Sequence, residues 1–130
     1  MKISLFALLV MVSLLPDASH AQTAEEMVSS CKDLSNAKVT DGRVGLPLDF
    51  DSGVCWGSFA MVQEMIVMAD VSKLAKNEGR IFSVCAPPES TRTQLIQVYE
   101  QYATRHPEHY HEDFWRVASL ALREAFPCKG

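Results

Sequence analysis

The sequence predicts an all-α fold: a small four-helix bundle-like domain with two disulfides, preceded by a signal peptide. Three observations carry this. Four segments with helical spacing of apolar residues are separated by stretches rich in Gly, Pro and Asp. Four cysteines, an even number, sit in a chain of 130 residues. The chain also opens on an apolar run with the order of parts of an export leader.

The leader comes first. Lys2 is followed by an apolar run over residues 3–15 that only Ser4 and Ser13 interrupt. This is short of the roughly 20 residues needed to span a bilayer. Pro16 and Asp17 break the run, and Ser19 and Ala21 put small residues at the −3 and −1 positions of a cleavage site. Cleavage near Ala21 would leave residues 22–130 as a single domain outside the reducing cytoplasm. Losing Lys2 and Asp17 leaves the net charge at −4. The basic residues are dispersed, which argues against nucleic-acid binding, and a negative balance gives no attraction to anionic membranes. All four cysteines, Cys31, Cys55, Cys85 and Cys128, survive cleavage, and in an exported domain they are expected to be oxidised. The absence of a Cys-x-x-Cys pair excludes a thioredoxin-type motif and a standard zinc knuckle.

The first helix is expected over residues 23–37. Thr23 and Glu26 have the spacing of a capping box, and Met27, Cys31 and Leu34 fall on one face. A loop follows over residues 38–52. Val44, Leu46, Leu48 and Phe50 alternate there, which allows a short extended piece. The second helix is expected from Gly53 to near Lys76, capped by Ser52. It is apolar nearly all round from Val54 to Val71, so it reads as the buried centre of the bundle. Gln63 and Glu64 in its middle argue against a membrane span. Asn77 to Arg80 should end it, and Cys85-Ala86-Pro87-Pro88 cannot lie inside a helix.

Thr91 and Gln94 make a second capping box. Leu95, Val98, Tyr99 and Tyr102 then recur at helical spacing, with an end near Arg105. The fourth helix is expected to begin at once, with Pro107 in its first turn. Its stripe is Phe114, Ala118, Ala121, Leu122 and Ala125, and Pro127 stops it. Trp56, Phe59, Tyr99 and Phe114 are assigned to the core; Trp115 lies one position off the stripe, at its rim. Consecutive antiparallel helices would bring Cys31 to Cys55, and Cys85 to Cys128, so those two pairings are expected.

Chemistry-bearing patterns are sparse. His106, His109 and His111 cluster, but three or four convergent ligands make a metal site. The expected reading is a polar helix start with no metal. Oxidised cysteines leave no thiolate nucleophile, no Gly-x-Ser-x-Gly turn accompanies the Ser, His and Asp residues, and there is no glycine-rich phosphate loop. The pairs Asp49/Asp51 and Glu112/Asp113 read as solvated surface. The sequence therefore points to neither an enzyme nor a cofactor-binding protein.

Several local signatures coincide in residues 50–128: Cys55-Trp56-Gly57, the Cys85-Ala86-Pro87 turn, the Gln94 helix, His106-Pro107-Glu108, and the terminal Phe126-Pro127-Cys128. Together they resemble the Rap/Tai family of periplasmic immunity proteins. One departure is Ser58-Phe59-Ala60-Met61, where that family often carries a second glycine. The resemblance implies a non-enzymatic periplasmic protein that binds and inhibits a peptidoglycan amidase toxin of type VI secretion, and that can form a homodimer. The best local candidate for the contact is the loop of Leu46, Leu48, Asp49, Phe50 and Asp51, an apolar anchor flanked by acids that also include Asp41. The same residues could instead fold back over the end of the bundle. Two other functions fit the residues. One is a periplasmic acid-stress holdase using Met61, Met65, Met68 and the histidine cluster; the other is a helical binding module without a toxin partner.

Overall fold

The computed structural model describes residues 21–71 and 83–128. The expected leader and the expected end of the second helix near Lys76 lie outside them. The described chain forms α1 (Ala24–Ser35), a two-residue hairpin of β1 (Val39–Thr40) and β2 (Arg43–Val44), α2 (Phe50–Val71), α3 (Arg92–Arg105), a 3-10 turn (Pro107–His109) and α4 (Phe114–Ala125). The fold is all-α and bundle-like, with both disulfides paired as the helix order suggests: Cys31–Cys55 and Cys85–Cys128. Among the described residues no helix is long and apolar enough to cross a membrane.

Both capping boxes form. The Thr23 hydroxyl accepts from the Glu26 amide while the Glu26 carboxylate accepts from the Thr23 amide, and Thr91 and Gln94 repeat the exchange on α3. α1 and α3 each pack against the other three helices. Between them lies one core, with Met27, Cys31 and Leu34 from α1, Cys55, Phe59, Val62 and Ile66 from α2, Leu95, Ile96 and Tyr99 from α3, and Phe114, Val117, Ala121 and Leu122 from α4. At its centre the rings of Phe59, Tyr99 and Phe114 touch pairwise, with centroids 5.4–5.5 Å apart and tilted or edge-on planes. The Tyr99 hydroxyl donates to the Ala24 carbonyl at 2.9 Å, so this one side chain joins all four helices.

Four expectations are corrected. α2 starts at Phe50, a turn before Gly53, because Asp49 and not Ser52 caps it: Asp49 Oδ1 accepts from the Ser52 amide at 2.8 Å, and Ser52 is buried. α2 is not buried on all sides either. The covered stripe runs through Ser52, Cys55, Phe59, Val62, Ile66 and Ala69, because α1 and α3 approach from one side, while Met61, Val67 and Met68 are exposed. Trp56 is half-buried, not central, with the Arg92 guanidinium 4.4 Å above its ring centroid.

Fourth, α4 begins at Phe114, not at Pro107. The intervening backbone is diverted to the start of α1, where Glu112 and Tyr110 carbonyls accept from the Ala24 and Glu25 amides at 2.8 and 3.1 Å. The Phe114 amide returns a bond to the Gln22 carbonyl at 2.9 Å. The corner thus satisfies amides that a helix start leaves without partners. At the opposite end of α4 the chain is pinned again. Val84 and Pro127 form an antiparallel bridge, and the Cys85 amide donates to the Phe126 carbonyl at 2.9 Å beside the Cys85–Cys128 bond.

Candidate functional site

The loop between α1 and α2 is built by three devices. Asp41 and Gly42 both adopt positive φ, 52° and 72°, the conformation of a tight two-residue hairpin turn. The turn pairs Val39 with Val44 and Thr40 with Arg43. This is where the extended piece forms; Leu46, Leu48 and Phe50 lie beyond it. The Asp49 cap then launches α2. Behind the loop, Cys31 and Cys55 are both fully buried and bonded, with Cα atoms 5.2 Å apart, so the whole loop is closed at its base.

The loop's apolar side chains do not fold back over the bundle. Leu48 is 105% exposed, Phe50 83% and Leu46 40%. Asp41, Asp49 and Asp51 are exposed around them. The Ser52 amide holds the Asp49 carboxyl below its ordinary range, so it is ionised at neutral pH. The arrangement is a short apolar ridge with acidic flanks on a covalently closed base. It offers contact area, not reactive groups.

A second cluster lies at the corner between α3 and α4. The ring of His106 is 4.4 Å from that of Tyr102, and His109 stacks parallel to Tyr102 at 6.4 Å. His106 Nδ1 lies 3.0 Å from Glu108 Oε1, and His109 Nε2 lies 4.0 Å from the same oxygen. His109 Nδ1 is 3.0 Å from Glu112 Oε1, and Glu112 Oε2 pairs with Arg116 at 2.7 Å. The hydrogen bond with His106 lowers the Glu108 carboxyl, and that with His109 lowers Glu112. Helical spacing pairs His106 with His109 on one face and leaves His111 elsewhere, but it offers Glu112 or Asp113, not Glu108, as the acidic neighbour. In the 3-10 turn Glu108 comes between them. Pro107 after His106 was the available signal.

No curated protein and no solved structure matches the chain. The family model of the Rap1a immunity proteins matches it over residues 23–128. The chain belongs to the Rap1a immunity protein family. The match runs from the α1 cap to the last cysteine, so all four helices, both disulfides, the exposed loop and the histidine corner belong to the Rap1a unit. The family is one of immunity proteins and not of enzymes, and it implies a protein toxin as partner.

Proposed function

We propose that this Rap1a protein is a periplasmic immunity protein that binds and blocks a peptidoglycan amidase toxin delivered by type VI secretion, with the ridge of Leu46, Leu48 and Phe50 and the acids Asp49 and Asp51 as its contact. Family membership over residues 23–128 carries the reading. The ridge supports the choice of surface: large apolar side chains exposed on a closed base are suited to fill a partner's cleft. A loop held in shape before binding loses little conformational entropy on association. The leader expected over residues 1–21 and the two disulfides fit a protein that must meet its toxin in an oxidising compartment. The acidic flanks favour a partner with basic residues around its cleft.

The test uses secreted amidases encoded beside this gene as ligands for the mature protein. Nanomolar binding of one of them, with loss of amidase activity at equimolar inhibitor, is the expected result. Leu48→Asp should weaken binding at least 100-fold with the melting temperature unchanged, since the side chain is fully exposed. Undiminished inhibition by both Leu48→Asp and Phe50→Asp would remove the ridge from the interface. The exposed Met61 and Met68 favour the holdase as a second reading. Suppression of aggregation of unrelated proteins at pH 4, with no tight partner at pH 7, would select it.

A further inference from the structure

The corner cluster carries chemistry that inhibition of a toxin does not use. One ring nitrogen from each of His106 and His109 and a carboxylate oxygen of Glu108 lie within 4.8 Å of one another. In a tetrahedral zinc site, bonds of 2.0–2.2 Å put ligand atoms roughly 3.4 Å apart. Small side-chain rotations close the difference. The backbone is already set, since the His109 amide donates to the His106 carbonyl at 3.0 Å and the Tyr110 amide to the Pro107 carbonyl at 3.1 Å.

The surroundings select the free nitrogen. Glu112 Oε1 lies 3.0 Å from His109 Nδ1, and its other oxygen is held by Arg116 at 2.7 Å. With Nδ1 turned to that carboxylate, Nε2 is the nitrogen turned toward the cluster, 4.0 Å from Glu108 Oε1. A carboxylate behind a histidine in this way is the usual support of a metal-ligating imidazole, fixing its tautomer and orientation. Tyr102 backs both rings and limits their rotation. His111 is exposed and outside the group.

We propose that His106, Glu108 and His109 form a divalent transition-metal site of the zinc class, with Glu112 as a positioning residue and a fourth coordination position open to water or to a partner's side chain. Two imidazoles and one carboxylate suit zinc, copper or nickel and not magnesium or calcium. The ion would clamp the corner that caps α1, so it should also raise thermal stability.

The experiment is calorimetric titration of zinc chloride into the mature, disulfide-bonded protein after treatment with a chelator. The expected result is one equivalent bound per chain, no competition by a hundredfold excess of magnesium or calcium, and a raised melting temperature. His109→Ala and Glu108→Gln should each weaken binding at least 10-fold, and Glu112→Gln by 10- to 100-fold. His111→Ala should change nothing. In the unsubstituted protein, zinc should shift the His109 Nε2 resonance and leave His111 in place, a readout that does not depend on any variant folding. Absence of stoichiometric binding, binding unchanged in His109→Ala, an effect of His111→Ala equal to that of His109→Ala, or displacement by magnesium would each overturn the site. None of these outcomes bears on toxin inhibition.

Discussion

Tyr99 concentrates the fold's logic in one side chain. Its ring completes the Phe59–Tyr99–Phe114 cluster, and its hydroxyl reaches across to the α1 backbone. Burial pushes that hydroxyl well above its ordinary pKa, so it donates throughout the physiological range. Tyr99→Phe removes one buried hydrogen bond and no carbon. It should cost about 1 kcal/mol in denaturant unfolding. Phe59→Ala leaves a cavity against two other rings and should cost about 3–5 kcal/mol. The ring positions were legible in the sequence, because Tyr99 and Phe114 fall on apolar stripes. The hydroxyl's partner, 75 residues away, was not, since no local pattern encodes it.

Acid acts at the same scale. The Asp49, Glu108 and Glu112 carboxyls are held below their unfolded values by hydrogen bonds from Ser52, His106 and His109 respectively. For such groups the stabilisation is complete above the unfolded pKa and disappears as pH falls through the folded one. Glu100 runs the other way, because burial raises its carboxyl and acid relieves that penalty. Three groups oppose one. The melting temperature should therefore fall between about pH 5 and about pH 3, and Asp49→Asn should make that fall shallower.

At the scale of elements, caps and corners decide where each helix begins. The two boxes at Thr23 and Thr91 were legible, because Thr with Glu or Gln three residues on is a pattern with a mechanism. Thr91→Ala should cost about 1 kcal/mol, read as a lower unfolding midpoint. The start of α2 was less legible because Asp49 and Ser52 are both good caps three residues apart, and the choice rests on which amide the loop presents. The start of α4 was not legible, since Tyr110 and Glu112 give their carbonyls to α1, a long-range contact that overrides the helical pattern. The hairpin had a signal in Asp41-Gly42, which the alternation of Val44, Leu46, Leu48 and Phe50 obscured. That alternation marked the ridge instead, and its exposure could not be read from sequence, where an apolar loop reads equally as core or contact.

For the whole molecule, the disulfides set the order of events under reducing conditions. Cys31 and Cys55 are completely buried, whereas Cys128 is exposed. A soluble reductant should open Cys85–Cys128 first, with two alkylated cysteines in the mass spectrum before four appear. Each bond closes a loop, with sequence separations of 24 and 43 residues, worth about 3–4 kcal/mol apiece on a chain-entropy basis.

The two bonds are neither nested nor crossed, so the chain holds two closed rings in series, residues 31–55 and 85–128, joined by a single thread. Proteolysis thus has an address. A cut inside either ring leaves one covalent molecule, whose halves stay tethered by the disulfide. A cut anywhere in residues 56–84 divides it into two pieces that no bond reunites. That connecting stretch is where a single hydrolysis costs the molecule its covalent unity.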